Sequence, residues 1–111
     1  MLDPLSPNLE RYMDLVSARQ RLVASNIANA NTPGYKTRDI DFQSEYQSAT
    51  GAPPAAIEVP GLKIKNDGNN VSLDRESRLL AENALRFNVV SGLMRAAIRT
   101  VRSAIEEGRS G

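Results

Sequence analysis

The sequence has no cysteine, no histidine and no tryptophan. Without cysteine, neither disulfides nor thiolate metal sites can form. Without histidine, the commonest metal ligand and the commonest general acid–base near neutral pH are both missing. Only Tyr12, Tyr35, Phe42, Tyr46 and Phe87 are aromatic, too few rings to fill a thick core. No apolar run approaches the roughly 18 residues that would suggest a membrane span, so no direct membrane span is expected. The stretch from Met1 to Glu10 has neither a basic n-region nor an apolar h-region, so a cleaved secretory signal is not expected either. An excess of one charge is also absent. Fourteen basic against thirteen acidic residues give a net charge of +1, which argues against a nucleic-acid partner.

What is present is mostly small and aliphatic, the material of helix–helix seams. The 111 residues allow one domain, read as a single unit 1–111 in three segments. Residues 8–30 have helical periodicity: Leu9, Tyr12, Met13, Val16, Val23 and Ile27 form one stripe, with Leu15 and Leu22 beside it. Pro4 and Pro7 precede the stripe, Asn8 is the expected N-cap, and Glu10 suits the positive end of the helix dipole. Thr32-Pro33-Gly34-Tyr35 stops the helix, because Pro33 disfavours helical geometry at Thr32 and Pro-Gly fits the centre of a type II turn.

Residues 31–71 are rich in breakers and read as mostly irregular. Asp39 to Phe42 alternates like a short strand. Ile57-Glu58-Val59 and Leu62-Lys63-Ile64-Lys65 alternate more clearly about Pro60-Gly61, which predicts a small β-hairpin. Gln47 to Ala56 has the composition of a flexible stretch, and Asn66 to Asn70 is a dense turn cluster.

Residues 72–107 return to helix, with Ser72 as N-cap, Asp74 and Glu76 in the first turn, and Gly108 as the stop. Leu80, Ala84, Phe87, Ser91, Met94, Ile98, Val101 and Ile105 alternate spacings of four and three, a coiled-coil seam over nearly four heptads. Val90, Leu93 and Ala97 form a second row. The expected fold is therefore mainly α: two long terminal helices in an antiparallel, coiled-coil-like hairpin around a turn-rich middle. The first helix would span only about 33 Å and the second about 50 Å at 1.5 Å per residue. The first helix is thus expected to leave the second row and the far end of the longer helix uncovered. Broad apolar faces of that kind mark interaction sites, and they call for a neighbour.

Other constellations are weak. Arg95, Arg99 and Arg102, with Arg109 beyond them, make a basic stripe that reads either as a solvated face, with Arg102 and Glu106 spaced for pairing, or as a contact to acidic residues on neighbouring subunits. Asp39 and Asp41 flank an apolar residue in a loop expected to be exposed, so their neutralisation is expected to leave function intact. Asp67 and Asn69 lack the spacing and closing Glu of a calcium loop. No catalytic, cofactor-binding or metal-ligating set emerges.

Residues 24–42 read Ala-Ser-Asn-Ile-Ala-Asn-Ala-Asn-Thr-Pro-Gly-Tyr-Lys-Thr-Arg-Asp-Ile-Asp-Phe. This resembles the signature of the flagellar basal-body rod and hook family at Ser25, Asn26, Asn29, Asn31, Thr32, Pro33, Gly34 and Tyr35. Arg38 to Phe42, Asn66 to Glu76 and Leu80 to Phe87 resemble the short proximal-rod branch of that family. The resemblance implies a structural subunit without cofactor or catalysis. It would be exported unfolded by the flagellar type III apparatus and would assemble with copies of itself and with other rod and inner-ring proteins. Its place would be the rod on the periplasmic side of the inner membrane, where terminal helices pack into a tube that transmits torque. In that setting Asn26 is expected to set register between subunits. The helix-packing and polymer interface is expected at Leu9, Tyr12, Val16, Val23 and Ile27, and at Leu80, Ala84, Phe87, Met94, Ile98, Val101 and Ile105. A soluble helical adaptor binding one partner through the second helix is the alternative from another class. An enzyme is the third, disfavoured by the missing histidine and cysteine.

Overall fold

The computed structural model describes residues 7–48 and 51–110, with the side chains of Pro7 and Ser110 left aside. The chain order is α1 (Pro7–Ala28), β1 (Arg38–Asp39), α2 (Phe42–Ser48), β2 (Ile57–Glu58) and α3 (Leu73–Ser110). The shape is a rod of 71 × 26 × 17 Å. Its radius of gyration of 18.6 Å compares with about 13 Å for a compact chain of this length.

Helix α1 starts at Pro7, one residue before the expected cap, so Asn8 stands inside the helix. Proline suits a first turn because its missing N–H would have no helical acceptor there. The start signals read at Pro4 and before it lie outside the described residues. At the other end Asn29 N donates to Ser25 O, and Tyr35 N donates to Thr32 O across the Pro33-Gly34 turn. Gly34 has φ +77, the left-handed value that the third position of a type II turn requires. Helix α3 begins as read, with Ser72 Oγ accepting from Arg75 N at 3.2 Å. It does not stop at Gly108 but continues to Ser110. A glycine lowers helix propensity without forbidding helix, and nothing after it demands a turn.

The two long helices run antiparallel: Asn26 meets Glu76, Val16 meets Asn83 and Tyr12 meets Arg86. The seam between them is not the row read from the sequence. On α3 it runs through Glu76, Asn83 and Val90, seven residues apart and all buried. Leu80, Ala84 and Phe87 sit to one side and are exposed. Val90, expected to lie outside the reach of α1, is only 7% exposed. The error has a physical origin: the inner face of α3 holds polar side chains that complete hydrogen bonds, so hydrophobicity alone picked the neighbouring stripe.

The middle segment packs on the other flank of α1, where Ile40 joins Leu15 and Ala18, with Leu22 and Phe42 against them. A short helix appears where irregular chain was expected. Asp41 caps α2, accepting from Ser44 N at 3.2 Å, and Phe42 and Tyr46, four residues apart, both set their rings edge-on to Tyr12. Arg11 bonds Glu45 at 3.1 Å and holds α2 to α1.

The middle segment does hold a small antiparallel sheet, but its partners differ from those expected. Strand β1 pairs with β2, Arg38 opposite Glu58 and Asp39 opposite Ile57. Leu62–Lys65 stays out of the sheet. The competition is decided at Arg38, whose N–H and C=O are both taken by the Asn26 side chain. One edge of this segment is thereby fixed to α1, and the other edge, at Thr37 and Asp39, is free for the Ile57–Val59 stretch.

Candidate assembly surface and the motif that frames it

The signature residues do not form one surface. They divide into a buried lock and a turn. Asn26 is wholly excluded from water and uses its amide completely. Its Nδ2 donates to Arg38 O and to Glu76 Oε1, both at 2.9 Å; its Oδ1 accepts from Arg38 N at 3.1 Å and Tyr35 Oη at 3.0 Å. A primary amide is the one side chain that presents a donor and an acceptor like a neighbouring peptide, which is why asparagine serves here. Asn26 therefore sets register inside the chain, not between subunits.

Ser25 places its hydroxyl 3.2 Å from Tyr35 Oη. Asn29 bonds Ser25 O, and Thr32 Oγ1 donates to Asn29 Oδ1 at 3.0 Å. Asn31 and Pro33 are exposed turn positions. Gly34 is backed by Gly68, where an added Cβ would come within 3.3 Å of the Gly34 Cα. Gly34 N also donates to Asp67 O at 2.9 Å.

Residues beyond the signature complete the lock. Buried Asn69 donates to Asn29 O and Thr32 O, and Asn70 Oδ1 accepts from Thr37 N. The turn cluster at 66–70 thus stitches the end of α1 to the start of α3. Asp39, read as an exposed loop residue, is 5% exposed. Arg19 grips its two oxygens at 3.0 and 3.2 Å, and Arg75 takes Oδ2 at 2.7 Å. Glu76 is fully buried, with Oε1 held by Asn26 and by Arg75 at 2.9 Å. Burial pushes its carboxyl above the usual range, against the opposing pull of Arg75 and Asn26. Asp39, Arg75 and Glu76 were not read as a unit. The one available signal was the seven-residue spacing of Glu76, Asn83 and Val90, which marks a stripe regardless of polarity.

The expected packing residues of α1 are placed mostly as read. Leu9, Val16 and Val23 are buried, Tyr12 is half-buried and Ile27 is exposed. On α3 the outcome is different. Beyond Val90 no described residue is buried, which leaves roughly 30 Å of helix that no described element covers. Met94 is half-buried, while Ile98, Val101 and Ile105 are about half exposed, as Phe87 is nearer the middle. This row, Leu80 to Ile105, forms no packing seam among the described residues. Among the described residues no helix is long and apolar enough to cross a membrane, and no group of three or more acidic side chains comes together to hold a metal ion.

The family model described as flagella basal body rod protein matches residues 13–36, most of α1 and the turn after it. A flagellar basal body rod protein FlgB of Yersinia enterocolitica is 31% identical over 137 aligned positions, which span 97% of this chain and the whole relative. The FlgB protein of Escherichia coli K12 is 30% identical over 97% of this chain and 99% of its own length. That of Borrelia hermsii is 27% identical over 86% and 91% respectively.

Proposed function

The chain belongs to the FlgB family of flagellar basal body rod proteins, and from that membership we propose that it polymerises through its terminal helices into the tube that transmits torque. The observation that carries this reading is the apolar row on the free half of α3. Ile98, Val101 and Ile105 are 46, 49 and 54% exposed, and no described element of their own chain covers them. A stretch of that kind gains free energy only when a neighbour buries it. Leu80, Ala84 and Phe87 continue the row along the outside of the paired half, so the contact surface runs nearly the length of α3. The partners are copies of the chain, other rod proteins and the inner ring. Delivery is by the flagellar type III apparatus without a cleaved signal, to the periplasmic side of the inner membrane. The role is structural and no reaction is assigned.

Val101→Asp and Met94→Asp test the proposal. Each sets a charge in the row, and an unpaired charge in an apolar contact costs several kcal/mol, on the order of 3–5, in every subunit. Rod assembly and swimming are expected to be lost while the protein is still made and exported. Normal motility in both variants would overturn the reading. So would a discrete one-to-one complex in ultracentrifugation, the behaviour of an adaptor.

A further inference from the structure

The lock contains a carboxyl group whose surroundings are unbalanced. Asp39 on β1 is served by two guanidiniums, Arg19 from α1 and Arg75 from α3. Glu76, one residue along α3, shares only Arg75. Both ligands of Glu76, Asn26 Nδ2 and Arg75 Nη1, bond the same oxygen, Oε1. The other oxygen, Oε2, is buried with no hydrogen-bond partner among the described residues. The remaining groups around the site give little help. Tyr35 spends its hydroxyl on Asn26, and the side chains of Arg38 and Glu58, opposite each other on the two strands, are exposed. An ionised Glu76 therefore carries a desolvated oxygen with no donor, beside a second carboxylate that competes for its one cation. The protonated acid avoids most of that cost.

We propose that Glu76 is a proton-operated latch in the clasp between α1 and α3, tight when the carboxyl is protonated and loosened when it ionises. The clasp is placed to act over distance, because Asn26 links Glu76 directly to both backbone groups of Arg38 and to Tyr35 in the signature turn. The sign follows from linkage. The folded-state pKa lies above the ordinary value of 4.5, the direction burial imposes. The stabilising contribution is thus fully present below about 4.5 and is lost as pH rises through the raised value. This is the reverse of an ion-paired carboxylate, whose contribution is lost as pH falls.

The test uses the full chain and two readouts. Carbon-13 labelling of glutamate side chains follows the Glu76 carboxyl by NMR, with a short unstructured glutamate peptide as reference. Glu76 is expected to titrate above the ordinary glutamate value of 4.5. Amide exchange at Arg38, whose N–H donates to Asn26, reports the clasp. After correction for the intrinsic rate, its protection is expected to fall severalfold from pH 5 to pH 8 in the native chain and to stay level in Glu76→Gln. A Glu76 midpoint at or below that of the reference peptide would overturn the proposal. Protection at Arg38 that is independent of pH in the native chain, or that falls equally in both proteins, would overturn it as well. Should Glu76→Gln fail to fold, the titration of the native chain decides alone.

Discussion

The two halves of α3 are the same helix with the same kind of periodicity, yet they are stabilised in different ways. The first half is completed inside the chain. Glu76 and Asn83 face α1 and bond it, and Val90 is buried. The second half has most of its apolar side chains exposed, and no described element covers it. The difference shows that a heptad pattern identifies a face that wants covering, not the molecule that covers it. Where α1 is present, the seam uses polar groups, whose hydrogen bonds demand one register. Where it is absent, the face is aliphatic and can accept a neighbour.

Charge substitutions on the two halves should separate them most widely. Val90→Asp buries a carboxylate against α1 and should destabilise the isolated chain by about 3–5 kcal/mol. Ile98→Asp, on the free half, should change the same urea midpoint by less than about 0.5 kcal/mol. Equal losses in the two proteins would erase the contrast.

Within the clasped half, the lock should be worth more than any single apolar contact. Asn26→Ala orphans the Arg38 N–H and C=O and the Tyr35 hydroxyl, and should cost about 3 kcal/mol in denaturant unfolding. Asp39→Asn leaves Arg19 and Arg75 facing a neutral group, and a loss of about 3 kcal/mol is expected. Asp41→Asn, two residues away, should be nearly silent, within about 0.5 kcal/mol, because asparagine caps a helix as well as aspartate does. A loss in Asp41→Asn as large as that in Asp39→Asn would mean that α2, not the ion pairs, anchors the middle segment.

A smaller effect sharpens the role of the turn. At Gly68, φ is +87 and the Gly34 backbone stands 3.3 Å from an added Cβ. Gly68→Ala should cost about 1–2 kcal/mol from strain and displacement together. It should leave helix content by circular dichroism close to that of the native chain. A neutral result would show that the two glycines are not in contact in solution.

The sequence by itself determined the two long helices, their antiparallel arrangement, the Pro33-Gly34 turn, the Ser72 cap and the surplus of apolar face on the longer helix. These follow from local geometry: periodicity, φ preferences and capping are properties of neighbouring residues. The signature was also legible, but not what it does. Only the tertiary structure decided that Asn26 bonds Arg38 and Glu76, that Asp39 is gripped by two arginines, and that Ile57–Glu58 pairs with Arg38–Asp39 and not with Leu62–Lys65. Those choices join residues 12 to 50 positions apart. The seam on α3 was misread for the same reason. A buried glutamate and a buried asparagine look like surface residues until their distant hydrogen-bond partners are known, because a polar side chain is stable inside only when those partners meet it.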